Sequence, residues 1–163
     1  MSKTPPPAEF YRAEAYTAEE SVGYLMRRVL VQLAQAVDKR LEPHGLTNAQ
    51  WAPLYKIRSC QATSVAELAR QTQTDTGAMT RLLDRLEAKG LCKRVRSTED
   101  RRMVHVELTP EGARIADQVP GVLSEVMNAH LAGFTPDEFE TLKGYLRRML
   151  ANAALAKDGA GDG

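Results

Sequence analysis

Between Val65 and Leu108 the spacing of apolar residues changes from a helical repeat to a two-residue alternation, and few folds accommodate that change in so short a stretch. Met79, Leu82, Leu83 and Leu86 recur at helical intervals, and Gly90 follows as a left-handed stop. Upstream, Ser64-Val65-Ala66-Glu67 has the capping-box form and opens a short helix to about Gln71. A turn near Thr72 to Thr74 separates the two helices. Downstream, Leu91 and Val95, then Val104, Val106 and Leu108, alternate with polar residues around the polar run Ser97 to Arg102. The pattern predicts helix, tight turn, helix and basic-tipped hairpin. That is a mainly α fold with a small β-hairpin wing, the winged helix-turn-helix arrangement.

Longer helices flank this stretch. Thr17-Ala18-Glu19-Glu20 reads as a capping box opening a helix from about Ala18 to Leu41, with Val22, Leu25, Val29, Leu33 and Val37 on one stripe. Pro43 and Gly45 stop it. Thr47-Asn48-Ala49-Gln50 opens a second helix carrying Trp51, Leu54, Tyr55 and Ile57, in which Pro53 should remove one backbone bond and bend the axis. Thr109-Pro110 opens a helix to about Leu131, kinked at Pro120. Thr135-Pro136-Asp137-Glu138 opens another, with Phe139, Leu142, Leu146, Met149 and Leu150. A helix-turn-helix-plus-hairpin module of about fifty residues has no need of these flanking helices for its own core. Their apolar faces are expected to pack against a second copy, the alternative being a monomeric helical bundle. The expected organisation is an extended arm over residues 1–16, a dimerisation helix over 17–46 and a winged helix-turn-helix module over 47–108. C-terminal dimerisation helices over 109–156 and a disordered tail over 157–163 complete it.

Composition narrows the function class. Hydrophobic residues make up 43% and charged residues 26%, enough to bury a core. The net charge is only +1, but its distribution is uneven: Arg81 to Arg102 holds eight cations against four anions, and the first twenty residues hold two against four. A local basic stretch on a balanced protein is what a DNA-facing surface requires. No run approaches the ~18 apolar residues of a membrane span and the N-terminus lacks an apolar signal segment, so the expectation is a cytoplasmic protein with no membrane partner. Cys60 and Cys92 stand in no CxxC pattern and read as small buried hydrophobes. His44, His105 and His130 are dispersed and suggest no metal. With no nucleophile elbow, phosphate-cradling Gly-rich loop or HExxH, the chain is not expected to be an enzyme or to need a cofactor.

On the second helix of the motif, Gly77, Arg81, Asp84 and Ala88 face away from the leucines, with Thr76, Thr80 and Arg85 alongside. Small residues let a backbone approach the major groove, Thr offers a hydroxyl and a methyl, and Arg can bridge guanine O6 and N7. At the hairpin tip, Asp100 and Arg102 fall on the same side of an extended chain, with Arg101 between them. A carboxylate there makes sense if it fixes a guanidinium for presentation to a narrow minor groove. Ser64, Thr74 and Arg96 complete the candidate DNA contacts.

The stretch Ala78-Met79-Thr80-Arg81-Leu82-Leu83-Asp84-Arg85-Leu86-Glu87-Ala88-Lys89-Gly90-Leu91 closely resembles the recognition-helix signature of the MarR (multiple antibiotic resistance regulator) family. So does Asp100-Arg101-Arg102 followed by Leu108-Thr109-Pro110-Glu111-Gly112. The resemblance covers about Glu19 to Ala154. It implies a homodimer joined through its N- and C-terminal helices, binding pseudo-palindromic double-stranded operators as a repressor and releasing them on binding a small phenolic or aromatic acid. It assigns Asp100 and Arg102 to the wing aspartate and the arginine it orients, and Thr80-Arg81 to DNA-contacting positions. The lead-in Phe10-Tyr11-Arg12-Ala13-Glu14-Ala15-Tyr16 is longer than the family's usual one and is similar to that of regulators of nicotinate catabolism, whose effector is a hydroxynicotinate. In the family the effector pocket lies between helices 1, 2 and 5. There Trp51 and Tyr55 can flank an aromatic ring, Arg27 or Arg28 can hold a carboxylate, and His44 lies in the connecting loop. Two alternatives stay open: a winged-helix protein-interaction module, and a redox-sensing regulator acting through Cys60 or Cys92.

Overall fold

The computed structural model describes residues 6, 8–59, 64–96 and 104–159. Its helices are α1 (Val22–Leu41), α2 (Asn48–Arg58), α3 (Val65–Gln71), α4 (Thr76–Ala88), α5 (Pro110–Ala116), α6 (Val119–His130) and α7 (Pro136–Gly159), with strands β1 (Cys92–Arg96) and β2 (Val104–Leu108) between α4 and α5. Short 3-10 turns occupy Ala13–Ala15, Ala18–Glu20 and Glu42–His44. The mainly α architecture with one two-stranded antiparallel hairpin is the expected fold class. The chain divides into two compact units, 29–127 and 1–28 with 128–163.

The core lies in the 29–127 unit. Leu54 of α2, Leu68 of α3, Met79, Leu83 and Leu86 of α4 and Val106 of β2 are buried together with Val37, Leu41 and Val119. The helix starts are capped as their sequences require. Ser64 accepts the Glu67 N–H at 3.2 Å while the Glu67 carboxylate accepts the Ser64 N–H at 3.2 Å, and Gln50 Oε1 accepts the Thr47 N–H at 3.2 Å. The α3–α4 turn closes by the Thr74 N–H donating to the Ala69 carbonyl at 2.9 Å, with Gln73 in left-handed backbone at φ 54°. Gly90, at φ 70°, ends the α4 region as expected.

Three sequence expectations are corrected. Thr17 opens a 3-10 turn without a side-chain cap; α1 starts later, and the Ser21 hydroxyl accepts the Tyr24 N–H at 3.2 Å. The helix expected to run from Pro110 to Leu131 with a kink is two helices, parted at Asp117 and Gln118. Pro120 has no N–H to give the Ala116 carbonyl, and its ring crowds that carbonyl, so the break falls upstream of the proline. In the hairpin, Cys92, Arg94 and Arg96 stand opposite Leu108, Val106 and Val104 on one face, so Arg94 rather than Val95 shares the buried side. That face is buried at Cys92 and Val106, near the base of the hairpin, and open at Val104.

Outside that core, in the 1–28 and 128–163 unit, α7 buries none of its described side chains, and Phe139, Tyr145, Met149 and Leu150 are exposed on it. Val22, Leu25 and Met26 of α1 are exposed as well. The Tyr11 hydroxyl accepts the Val22 N–H at 3.0 Å, tying the arm to the start of α1.

Candidate nucleic-acid interface

Helix α4 presents two chemically distinct faces. Met79, Leu82, Leu83 and Leu86 are buried, while Thr76, Gly77, Thr80, Arg81, Asp84, Arg85 and Ala88 are exposed, the division that the helical spacing predicts. The start of α4 is fixed by Asp75, whose carboxylate accepts the Ala78 N–H at 2.9 Å. Sequence reasoning overlooked this cap, although an Asp directly ahead of a helical run is the signal for it. A Cβ at Gly77 would stand 3.2 Å from Asp75 Oδ1 and 3.6 Å from Arg81 Nη1. The tighter approach is to the capping carboxylate, so the bare glycine leaves room for Asp75, while the Arg81 guanidinium lies back over the preceding turn at ordinary contact distance. The Thr80 hydroxyl donates to the Thr76 carbonyl at 2.8 Å, which holds its rotamer and leaves its oxygen able to accept.

The other candidate contacts are placed differently. The Ser64 hydroxyl is engaged as the α3 cap, and the Thr74 hydroxyl turns inward to the Thr72 carbonyl at 3.3 Å. Arg96 is exposed at the end of β1. Asp100, Arg101 and Arg102 lie outside the described residues, as does Cys60.

Arg94, counted in the sequence only as part of a basic stretch, is tied into the fold. Its Nη1 donates to Glu87 Oε2 at 2.7 Å, its Nη2 reaches Asp84 Oδ1 at 2.7 Å and the Thr80 carbonyl at 3.1 Å, and its backbone N–H donates to Glu87 Oε1 at 3.0 Å. Burial works against this cation, but the hydrogen bond and charge of Asp84, joined by Glu87, outweigh it and hold the Arg94 pKa above its ordinary value. The residue fastens β1 to α4 and offsets one of the two negative charges that Asp84 and Glu87 place beside it. The base of the hairpin is fastened independently: Thr109 donates its N–H to the Leu91 carbonyl at 3.1 Å and its hydroxyl to the Gly90 carbonyl at 2.6 Å, and accepts the Gly112 N–H at 3.0 Å.

The residues expected to meet an effector are dispersed over the chain. Trp51 and Tyr55, one turn apart on α2, are half-buried against the core, and the Trp51 indole N–H donates to Asn48 Oδ1 at 3.1 Å. His44 is half-buried in the turn after α1. Arg27 and Arg28 are exposed on α1, with the Arg28 guanidinium 6.0 Å from the Tyr24 ring centroid. At the end of α1 a depression of about 420 Å³ is lined by Asp38, Lys39, Glu42, Gly45, Leu46 and Thr47. Cys92 is buried, and burial, with the nearby Glu87 charge, pushes its thiol up to about 11. A thiol so disposed is a poor nucleophile at neutral pH. Among the described residues no three His, Cys, Asp or Glu side chains are grouped as a metal site would need, and no helix is long and apolar enough to cross a membrane.

Three comparisons bear on this arrangement. A family model described as MarR family matches residues 46–104, the stretch from the α1–α2 connection into β2. The multiple antibiotic resistance protein MarR of Escherichia coli K12 is 33% identical over 130 residues, covering 79% of this chain and 90% of that protein. A crystal structure of a MarR mutant from E. coli complexed with operator DNA is similar with a TM-score of 0.72 and 34% identity, over 79% of this chain and 93% of that one. Bordetella bronchiseptica BpsR, whose DNA binding is regulated by 6-hydroxynicotinic acid, is similar with a TM-score of 0.72 and 26% identity, over 82% of this chain and 96% of that one.

Proposed function

Because the chain belongs to the MarR family of DNA-binding transcription regulators, we propose that it is a homodimeric repressor that sets the N-terminal half of α4 in the DNA major groove and leaves its operator when a small aromatic acid binds. The observation that carries the reading is the exposed face of α4. Thr76, Gly77, Thr80 and Arg81 cluster around a capped helix start, on a helix whose opposite side is locked into the core. With Asp75 already accepting the Ala78 N–H, the groups offered to DNA are the side chains of these first turns, which reach base edges in the major groove.

Two copies are needed because one α4 spans only part of an operator. A two-fold dimer reads half-sites about 34 Å apart, one helical turn of duplex. The exposed apolar side chains of α7, Leu150 among them at 70% exposure, are the surface such a dimer buries. The effector reading rests on the likeness to BpsR and on Trp51 with Tyr55, whose half-buried rings suit a planar acid. A ligand that prefers the DNA-incompetent spacing a hundredfold shifts the equilibrium by about 2.7 kcal/mol, and one without preference shifts nothing.

Trp51 is the one tryptophan in the chain, so its emission reports directly. Titrating 6-hydroxynicotinate should change that emission and release a labelled duplex over the same concentrations. If neither signal moves at millimolar acid, the effector reading is wrong and the DNA-binding reading stands alone. Sedimentation at micromolar protein should give a dimer; a monomer would refute the two-fold arrangement.

A further inference from the structure

At the last turn of α4 one ammonium group reaches across to the connection between α1 and α2. Lys89, the first residue after α4, donates from Nζ to the Gly45 carbonyl at 2.7 Å and to Gln50 Oε1 at 2.8 Å. Gln50 is buried, and the same oxygen accepts the Thr47 N–H, so ammonium and amide share one acceptor. Gly45, at φ 68°, closes the turn between α1 and α2, and the next residue's N–H, from Leu46, returns to the Leu41 carbonyl at 3.2 Å. One side chain thus joins the end of α4 to the connection between α1 and α2. The depression lined by Asp38, Lys39, Glu42, Gly45, Leu46 and Thr47 opens on that same connection.

We infer that Lys89 is a positioning residue that sets the angle of α4 against the α1–α2 connection, and that it contributes to sequence-selective binding without touching DNA. The inference rests on the DNA-binding reading of α4. In the basic stretch Lys89 looks like one more phosphate contact, but its place argues otherwise. Of the candidate contacts on α4, Thr76, Gly77, Thr80 and Arg81 occupy the first turns, and thirteen residues of helix put Lys89 about 20 Å from that start. Arg85 is one turn from Lys89, but the Lys89 ammonium is bonded to the α1–α2 connection. Two of its three N–H donors are already committed to protein acceptors. A cation at a helix C-terminus is also favoured by the helix dipole, which keeps the ammonium where it is. Leverage supplies the effect. A tilt of about 5° at the held end moves the start of α4 by about 2 Å, and hydrogen bonds to base edges do not survive such a shift. Non-specific attraction to phosphates tolerates it, because Coulomb forces fall off slowly with distance.

The test compares Lys89→Met, which keeps the aliphatic stem and removes the ammonium, with Lys89→Arg and the wild type. The probes are a duplex selected by the wild-type protein from a random-sequence library and a duplex of unrelated sequence, each measured across a salt series. Thermal melts followed by circular dichroism establish that the variants are folded at the assay temperature, and Lys89→Gln repeats the measurement should the Met variant not be. The expected result is a loss of about tenfold or more on the selected duplex and of no more than about twofold on the unrelated one. The slope of log affinity against log salt stays unchanged, and Lys89→Arg recovers most of the loss. Equal losses on both duplexes with a slope shallower by about one unit would make Lys89 a phosphate contact and overturn the inference. Unchanged affinity for the selected duplex would reduce the contact to a stabilising one and overturn it too. A wild-type protein that selects no duplex overturns the DNA-binding reading itself, and does so before any variant is made.

Discussion

At Gly112 there is no room for one methyl group, since a Cβ there would stand 1.8 Å from the Leu91 carbonyl oxygen and 2.8 Å from its carbon. Neither partner can yield, because Leu91 is held by the Thr109 N–H and Gly112 lies in the first turn of α5. Gly112→Ala should therefore destabilise the fold by about 2 kcal/mol or more, lowering the Tm by roughly 5 °C or more in a thermal melt. A Tm within a degree of wild type would show that the base of the hairpin is looser than this packing implies. Cys92 gives a second check at the same scale. Its thiol is raised from 9.0 to about 11 by burial, so the folded protein favours the protonated form. The associated stability is intact below pH 9 and lost as pH climbs toward 11. In a Cys60→Ser background, Cys92 should resist iodoacetamide at pH 8 and react only after unfolding. Rapid alkylation of the folded protein would reopen the redox alternative.

Among the elements, the hairpin and α4 behave as one piece because Arg94 joins them, and that junction could not be read from the sequence. The helical face of α4, the caps at Ser64 and Thr135 and the stop at Gly90 were all legible, since each depends on residues within one turn of each other. The orientation of β1 was not. A two-residue alternation predicts which residues share a face, and apolar Val95 made the wrong face look like the inner one. The ladder buries the other face, where two carboxylates and a carbonyl from α4 satisfy the guanidinium of Arg94. The start of α1 and the break before Pro120 were misplaced for a related reason, because competing caps and proline positions are settled by packing. The charge count is also redistributed: Arg94 is spent on Asp84 and Glu87, a trio left with one net negative charge, so the excess positive charge of the stretch rests on its other cations. Arg94→Met should expose both carboxylates, speed amide exchange in β1 and β2, weaken binding to a selected duplex and cost about 1–2 kcal/mol in urea denaturation. Unchanged exchange in the hairpin would mean that the pairing of β1 with β2 and the Thr109 anchor suffice without Arg94.

For the whole molecule, the balance of surfaces agrees with the family. The net charge of +1 leaves no general attraction for nucleic acid, so any affinity has to come from the local basic stretch that α4 and the hairpin share. The exposed apolar side chains of α1 and α7 fall outside that stretch, and they are the surface proposed above for the dimer. The apolar flanking helices and the compact basic module they enclose were legible in the order of the sequence. A role for Trp51 and Tyr55 in binding an effector is not legible in the same way, because both rings serve equally well as the edge of a core. The central claim, that a patterned basic surface on this protein engages duplex DNA, is tested most directly by the salt dependence of binding. Affinity of the wild-type protein for a labelled duplex, measured from about 50 to 300 mM salt, should fall linearly on logarithmic axes. Two copies each neutralising at least two phosphates give a slope of about −3.6 or steeper. A slope near zero, with no preference among duplex sequences, would contradict the account and leave the winged helix as a surface for another protein.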